Sequence, residues 1–405
     1  MNLDAATSQT ALFDSPVRPK DALPEQTWQQ WLQAGSRPAA GAGVPLRVAD
    51  LFSGCGGLSL GVWEACRRAG RAFEPVLAWD TDARALGVYG ANFKLPEGRA
   101  LSLSIEEVLG DTPSPRGLEV LGVLRGLKGK VDLVVAGPPC QGHSNLNNHS
   151  RRSDGRNGLY QLVAKFAAIV EPKWLLIENV PTVVLDRGKN MSQTRKTLEQ
   201  QGYVVDDDIV RLDRLGVPQY RKRHLMIASD GDDVKVKKLA GASPAVGPSV
   251  MWAIGDLQDK KSDATIDYRS RLSEENEVRI AYFFKEEHKD EFDLPNEFRP
   301  ACHRDKEHSY PSMYGRMRPD QPAQTITTGF LSPGQGRYIH PTRARTLTPH
   351  EAARLQFFPD WFDFSSVTNP TRLAKMIGNA VPMMLSFVAL QGLLHQEASP
   401  QPDGD

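Results

Sequence analysis

Cysteine is scarce in this chain of 405 residues: there are 4, at Cys55, Cys66, Cys140 and Cys302, and no two share the short spacing of a zinc site or a disulfide framework. The thiols are therefore expected to stay reduced and the chain to hold no metal, which leaves thiol chemistry open. No apolar run approaches the roughly 18 residues of a membrane span. Residues 1–43 lack the basic start and apolar centre of a secretory signal, so a cytoplasmic location is expected. Net charge is missing as well, because Lys+Arg 49 balance Asp+Glu 49. Proteins that bind nucleic acid usually rely on Lys and Arg to neutralise phosphate, so any such role must rest on local clusters. Three occur: Arg151, Arg152 and Arg156; Arg221, Lys222, Arg223 and His224; and the Arg- and His-rich stretch from Arg299 to Arg318. The remaining composition, 40% hydrophobic and 24% charged, is that of a globular protein with one large domain and a smaller one.

Residues 1–43 mix Ala, Gln, Pro, Ser and Gly without sustained periodicity, which reads as a disordered leader with a short helix around Trp28 to Gln33. From Val44 short apolar runs alternate with helical stretches. Leu46–Phe52 precedes Leu58–Ala69, Pro75–Trp79 precedes Ala83–Asn92, Val131–Ala136 precedes Leu159–Val170, and Trp174–Ile177 precedes Gln193–Gln201; Leu225–Ala228 adds a strand. Apolar strands followed by amphipathic helices predict an α/β fold with a mostly parallel sheet. The alternation stops after Ser229. A polar, Pro-rich second region then runs to about Tyr338, a capped helix spans Thr348–Phe357, and a longer helix spans Pro382–Gln396. The domain reading is thus a leader at 1–43, a catalytic and cofactor-binding domain at 44–229, a second domain at 230–345, a return segment at 346–397 and a disordered tail at 398–405.

Two turns carry chemistry. After the first strand, Phe52-Ser53-Gly54-Cys55-Gly56-Gly57-Leu58 opens a helix, and its glycines let a ligand approach the backbone where the helix start offers unpaired N–H groups. The next strand ends Ala78-Trp79-Asp80, which places an acid where doubly wound folds bind ribose hydroxyls, with Trp79 available to stack on an adenine. Past Val131–Ala136 the chain reads Gly137-Pro138-Pro139-Cys140-Gln141-Gly142-His143-Ser144. Two prolines fix φ and withhold N–H, so the loop cannot join the ladder, and it lifts Cys140 onto a stiff turn suited to a nucleophile.

In ordered blocks from Arg47 to about Leu394, the chain resembles the DNA cytosine-5 methyltransferase family. The glycine turn resembles that family's S-adenosylmethionine site, and Pro138-Pro139-Cys140 its nucleophile loop. Glu178-Asn179-Val180 resembles its catalytic acid block, Gln219-Tyr220-Arg221-Lys222-Arg223 its Gln-x-Arg-x-Arg block, Glu351-Ala352-Ala353-Arg354-Leu355-Gln356 the segment supporting its recognition region, and Gly378-Asn379-Ala380-Val381-Pro382 its closing block. The resemblance implies a Rossmann-like S-adenosylmethionine-dependent methyltransferase domain plus a smaller, irregular, β-rich target-recognition domain. It also implies cofactor contacts at Phe52, Ser53, Gly54, Gly56, Gly57, Leu58, Trp79, Asp80, Ser104, Pro138, Asn379 and Val381. Ser104 stands where the family carries Asp, which weakens one hydrogen bond to the adenine.

The chemistry implied is addition of the Cys140 thiolate to C6 of cytosine, which makes C5 nucleophilic toward a methyl donor. Glu178 would bind or protonate N3, Arg223 would donate to O2, and Arg221 would brace Glu178 or the loop. DNA must enter with its target base flipped from the stack. Gln141, Ser144, Arg151, Arg152 and Arg156 on the following loop, with Gln219, Tyr314, Arg316 and Arg318, are the expected DNA contacts. The expectation is a monomeric enzyme acting on double-stranded DNA, the modification half of a bacterial restriction or defence system, with an endonuclease acting on the same site without a stable complex. A tRNA cytosine-5 methyltransferase and a catalytically idle DNA-binding regulator are the alternatives.

Overall fold

Apolar segments that alternate with helices pair in parallel at the centre of this chain. The computed structural model describes residues 25–139, 158–185, 188–231, 235–239, 247–285, 290, 293–305 and 312–398. The strands are β1 (Gly43–Leu51), β2 (Arg71–Trp79), β3 (Ala100–Leu101), β4 (Leu133–Ala136), β5 (Trp174–Asn179), β6 (Val204–Arg211), β7 (Gln219–Tyr220), β8 (Lys222–Ser229) and β9 (Ala323–Gln324). A seven-stranded sheet runs β3-β2-β1-β4-β5-β8-β6, in which β8 lies antiparallel to both β5 and β6 and the other pairs are parallel. A second sheet pairs β7 with β9. The order reverses between β1 and β4, so the turns leaving their carboxyl ends open a crevice between them, the usual ligand position in such sheets.

The helices are α1 (Glu25–Leu32), α2 (Gly57–Arg68), α3 (Ala83–Phe93), α4 (Glu106–Leu109), α5 (Pro115–Arg125), α6 (Leu159–Val170), α7 (Asn190–Gln200), α8 (Val236–Leu239), α9 (Val250–Ile254), α10 (Glu274–Lys285), α11 (Pro349–Leu355), α12 (Pro370–Asn379) and α13 (Met384–Ala398). Side chains alternate across β1, so Leu46 and Val48 join one apolar layer, with α2 and α13, while Ala49 and Leu51 join the other, with α6. The return segment closes tightly on α2: a Cβ at Gly61 would lie 2.0 Å from the Met383 carbonyl oxygen, and one at Gly57 would lie 2.5 Å from that of Val381. Only glycine permits that approach.

Two expectations are corrected. The leader reading of residues 1–43 does not hold from Glu25 onward. Trp31 and Leu32 are buried, and Trp28 and Trp31 pack against Phe357 with ring centroids 5.6 and 6.2 Å away. The helix expected around Trp28 to Gln33 is present as α1; its spacing turns the aromatics onto one face, and only three apolar residues, Trp28, Trp31 and Leu32, stand among Gln, Glu and Thr, which hides their burial in composition. The region at 230–345 is not β-rich among its described residues: it holds β9, the isolated bridges Arg316–Ile339 and Ile339–Thr346, the helices α8, α9 and α10, and loops. Prolines at Pro319, Pro322, Pro333 and Pro341 withhold ladder donors there. The stretch Pro370–Glu397 has the mean hydropathy of a membrane span, yet its apolar side chains, from Leu373 to Leu393, lie in the main core.

Candidate active site

The first wall of the site is the turn after β1. Phe52 has φ 56°, Gly54 φ 52° and Gly56 φ 95°, so the chain curls back on itself before α2. The curl is held from the neighbouring strand, because Ser53 N–H donates to the Trp79 carbonyl (3.0 Å) and Gly54 N–H to Asp80 Oδ2 (2.9 Å). Asp80 also accepts from Asp82 N–H at 2.8 Å. Burial pushes its carboxyl upward, against those backbone donors. Behind the turn Asp50 is 1% exposed and accepts from Ser59 Oγ at 2.6 Å; burial raises its pKa to about 8.

The second wall is built at the carboxyl ends of β4 and β5. Asn179 Nδ2 donates to the Pro138 carbonyl at 3.2 Å, which ties the Pro-Pro turn to β5. Glu178, one residue earlier, is 6% exposed and pairs with Arg223 of β8, Nε to Oε1 2.6 Å. Glu178 Oε2 lies 3.6 Å from where a Cβ on Gly137 would stand, so the carboxyl reaches across to the β4 turn. Between the walls is a cavity of about 560 Å³ lined by Phe52, Ser53, Gly54, Gly57, Leu58, Trp79, Asp80, Ser104, Pro138, Pro139, Glu178, Arg221, Arg223, Asn379 and Val381, among others. Of the expected cofactor contacts only Gly56 is absent from the lining: its left-handed φ makes the turn, and a Cβ there would strike Phe93 at 2.4 Å.

The cavity fits S-adenosylmethionine. Its size suits a nucleoside-bearing ligand. Ser53 Oγ, buried in the lining, has no protein partner among the described residues, so a ligand atom can take it up. Phe52 offers a ring to an adenine, Asp80 a carboxyl to ribose hydroxyls, and Gly54 and Gly57 an open backbone. Trp79 is more a core residue than a stacking platform: its Nε1 donates to the Leu103 carbonyl (2.9 Å) and its ring meets Phe166 edge-on. Ser104 caps its own turn, with Oγ accepting from Glu106 N–H at 3.3 Å.

Several expected DNA contacts are turned inward. Gln219 is fully buried; Nε2 donates to the Leu355 carbonyl and Gln356 Oε1, and its Oε1 accepts from Ile326 N–H at 3.0 Å. It is a brace between the second region and α11, out of reach of DNA. Arg221 does not hold Glu178. Its Nη1 points to the Ile326 carbonyl (3.3 Å) and Gln356 Oε1 (3.4 Å), while the contact to Glu178 is made by Arg223. Arg316 donates to the Pro341 carbonyl at 2.8 Å and lies 4.2 Å over the Phe284 ring, whereas Arg318 is exposed beside Asp290 at 3.6 Å. Tyr314 stands edge-on to His303, under the Arg279 guanidinium. Cys140, Gln141, Ser144, Arg151, Arg152 and Arg156 lie outside the described residues.

Sequence reasoning missed Gln356 as a hub. Its amide donates to the carbonyls of Ile377 (2.7 Å) and Ala380 (3.1 Å) while its oxygen accepts from Gln219 and Arg221, joining three separate blocks around the cavity. No local pattern marks such a residue. Cys55 lines the cavity, but burial pushes its thiol up to about 12, and Cys66 likewise, so neither presents a thiolate at neutral pH.

Comparison with known proteins gives relatives over most of the chain. A relative from Bacillus subtilis (strain 168), Type II methyltransferase M1.BsuMI, is 42% identical over 392 residues, covering 96% of this chain and 90% of its own. Type II methylase M.HgiDII of Herpetosiphon aurantiacus is 30% identical, over 85% of this chain and 94% of its own. Among solved structures, a putative DNA modification methyltransferase encoded within an E. coli prophage superposes with TM-score 0.60 at 22% identity, over 87% of this chain and all of that one. S. pombe Dnmt2 methyltransferase gives 0.56 at 16%, over 88% and 100%, which shows a shared fold. The family model described as C-5 cytosine-specific DNA methylase matches residues 46–393, from β1 through α13, and the chain belongs to that family.

Proposed function

We propose that this chain methylates C5 of cytosine in double-stranded DNA, with Cys140 as the nucleophile and S-adenosylmethionine as the methyl donor. The observation that carries the reading is the Glu178–Arg223 pair, set between the carboxyl end of β5 and the start of β8 in one cavity with the glycine turn. Phe52, Ser53, Gly54, Gly57, Asp80 and Asn379 would hold the cofactor, which supplies an electrophilic methyl group when bound.

The residues divide the work as follows. Cytosine C5 is a weak nucleophile until a thiolate adds at C6. That bond forms from the Cys140 sulfur lone pair, and the C5–C6 π electrons move toward C5. Glu178, facing the base, binds N3 and stabilises the proton that N3 takes up; Arg223 lies close enough to Glu178 to orient it and to donate to O2. After methylation water takes the C5 proton, the C–H electron pair re-forms the C5–C6 double bond as the C–S bond breaks and returns its pair to sulfur, and N3 gives its proton back to Glu178. Asn179 positions this chemistry by holding the Pro-Pro turn from which Cys140 follows.

The relatives' names place them with type II systems. We read this chain in the same way, as the modification enzyme of a bacterial restriction system, acting in the cytoplasm alongside an endonuclease of the same site.

Incubation with S-adenosylmethionine and duplex DNA containing 5-fluorocytosine tests the reaction. Fluorine at C5 cannot leave as a proton would, so the chain should become covalently attached to DNA, visible as a shifted band under denaturing conditions, and Cys140→Ser should give no adduct while still binding DNA. An adduct formed by Cys140→Ser, or none by the unaltered chain on DNA it methylates, overturns the assignment. Sequencing methylated cytosines in cells expressing the chain reports the target.

A further inference from the structure

We infer that the cavity has a second, basic rim, formed by Arg84 of α3 with Arg372 and Lys375 of α12, that binds backbone phosphates of the DNA strand carrying the target base. The inference rests on the reading of the chain as a DNA methyltransferase. Arg372, Lys375 and Asn379 lie three and four residues apart on one face of α12, and all three line the cavity; Leu373, Ala374 and Ile377 on the other face are in the core. Arg84 stands in the first turn of α3, where only its backbone N–H is engaged, by the Asp82 side chain.

Charge accounting around the cavity sets these three residues apart. Glu178 is paired with Arg223, Arg221 is bonded to Ile326 and Gln356, Asp80 is held by backbone donors and Asp82 caps α3. Among the described residues the guanidinium and ammonium groups of Arg84, Arg372 and Lys375 make no ion pair or side-chain hydrogen bond. Backbone donors leave the charges of Asp80 and Asp82 in place, so the three cations outnumber these two carboxylates on the cavity and present a net positive rim to an incoming anion.

The bound methyl donor is a poor candidate for that anion. Its sulfonium and ammonium outnumber its single carboxylate, so a triple positive rim opposes its entry. DNA is the better match, since a base delivered to Glu178 brings phosphates on both sides of its sugar. A chain with equal numbers of acidic and basic residues also has to gather its phosphate contacts locally.

The test measures binding of a mixed-sequence duplex, by fluorescence anisotropy across a series of KCl concentrations with S-adenosylhomocysteine present. Each lost phosphate contact removes about 0.9 from the slope of log K against log salt. The triple variant Arg84→Gln, Arg372→Gln, Lys375→Gln should therefore flatten the slope by about 2.7. The charge-preserving set Arg84→Lys, Arg372→Lys, Lys375→Arg should keep it, and calorimetric affinity for S-adenosylhomocysteine should be unchanged. A slope reduced by less than about 1.8, two contacts' worth, overturns the inference. So does a loss of S-adenosylhomocysteine affinity with the slope intact, which assigns the cations to the cofactor carboxylate. An unaltered chain that binds no duplex overturns the functional reading itself, and the rim with it.

Discussion

Asp50 shows how a single buried group sets a pH dependence for the whole protein. Its carboxyl is 1% exposed, Oδ2 accepts from Ser59, and Ser59 Oγ lies 2.9 Å from the Tyr89 hydroxyl; Oδ1 has no partner among the described residues. Burial outweighs the hydrogen bond and lifts the folded pKa to about 8, against roughly 3.9 in an unfolded chain. A raised acid favours folding while it is neutral. Its contribution is therefore fully present below about pH 4 and is lost as pH rises toward about 8, with no further loss above. Asp50→Asn keeps the shape and the Ser59 bond without the charge. Thermal melts from pH 5 to 9 should show the wild type losing stability on the order of several kcal/mol relative to this variant. Parallel curves for the two proteins would mean that Asp50 is ionised throughout.

At the scale of elements, chemistry-bearing turns were more legible than the edges of the fold. β4 and the start of β5 are unbroken apolar runs because both faces are covered, and the carboxyl-terminal halves of β1 and β2 are nearly so, interrupted only by Asp50; the sequence reveals such runs directly. The antiparallel edge strand β6 was missed, since Asp206, Asp207 and Asp208 interrupt the apolar pattern. Those acids are not surface decoration: Asp207 takes His224 and Arg195, and Asp206 accepts from Val236 N–H. α12 was also missed, although its Asn369 side chain caps Arg372 N–H and Pro370 follows. The site divided along the same line. Glu178, Asp80 and the glycine turn are local motifs that come together in one cavity, whereas Gln356, and the orientations of Gln219 and Arg316, depend on residues about a hundred positions away or more or on packing that no local pattern records. α1 offers the sharpest energetic case. Trp31 stacks on Phe357, meets Trp361 edge-on and is 7% exposed, and the Leu32 carbonyl accepts from Asp360 N–H. Trp31→Ala should cost about 3–5 kcal/mol of stability, measured by denaturant unfolding. A loss below about 1 kcal/mol would mean that α1 is peripheral to the folded core.

For the whole molecule, the question is whether the segment at 247–345, expected to read the target, is a module or a limb. Its own apolar cluster holds Ile280, Phe283, Leu294 and Ile339. Other buried residues of the segment, Val250, Ala253, Ile254, Met317, Ala323, Ile326, Phe330 and Tyr338, belong to the main core with α2, α12 and α13. Polar ties repeat the pattern: Ala323 N–H donates to the Pro218 carbonyl, Ile326 N–H to buried Gln219, and a Cβ on Gly378 would press to 2.5 Å on the Thr327 carbonyl carbon. Cut away, the segment would expose most of the surface it now buries, and four residues are too few to offset the chain entropy of about a hundred. We therefore expect residues 247–345 expressed alone to give the circular dichroism and narrow amide dispersion of an unfolded chain. In the intact protein, tryptophan fluorescence, dominated by the main core, and hydrogen exchange at α10 should report one unfolding midpoint in urea. A fragment with dispersed amide resonances, or two separated midpoints, would make the segment a domain in its own right. Target specificity could then be moved between relatives by exchanging it alone, whereas a limb sharing its core has to be exchanged together with Gln219, Gln356 and the return helices that hold it.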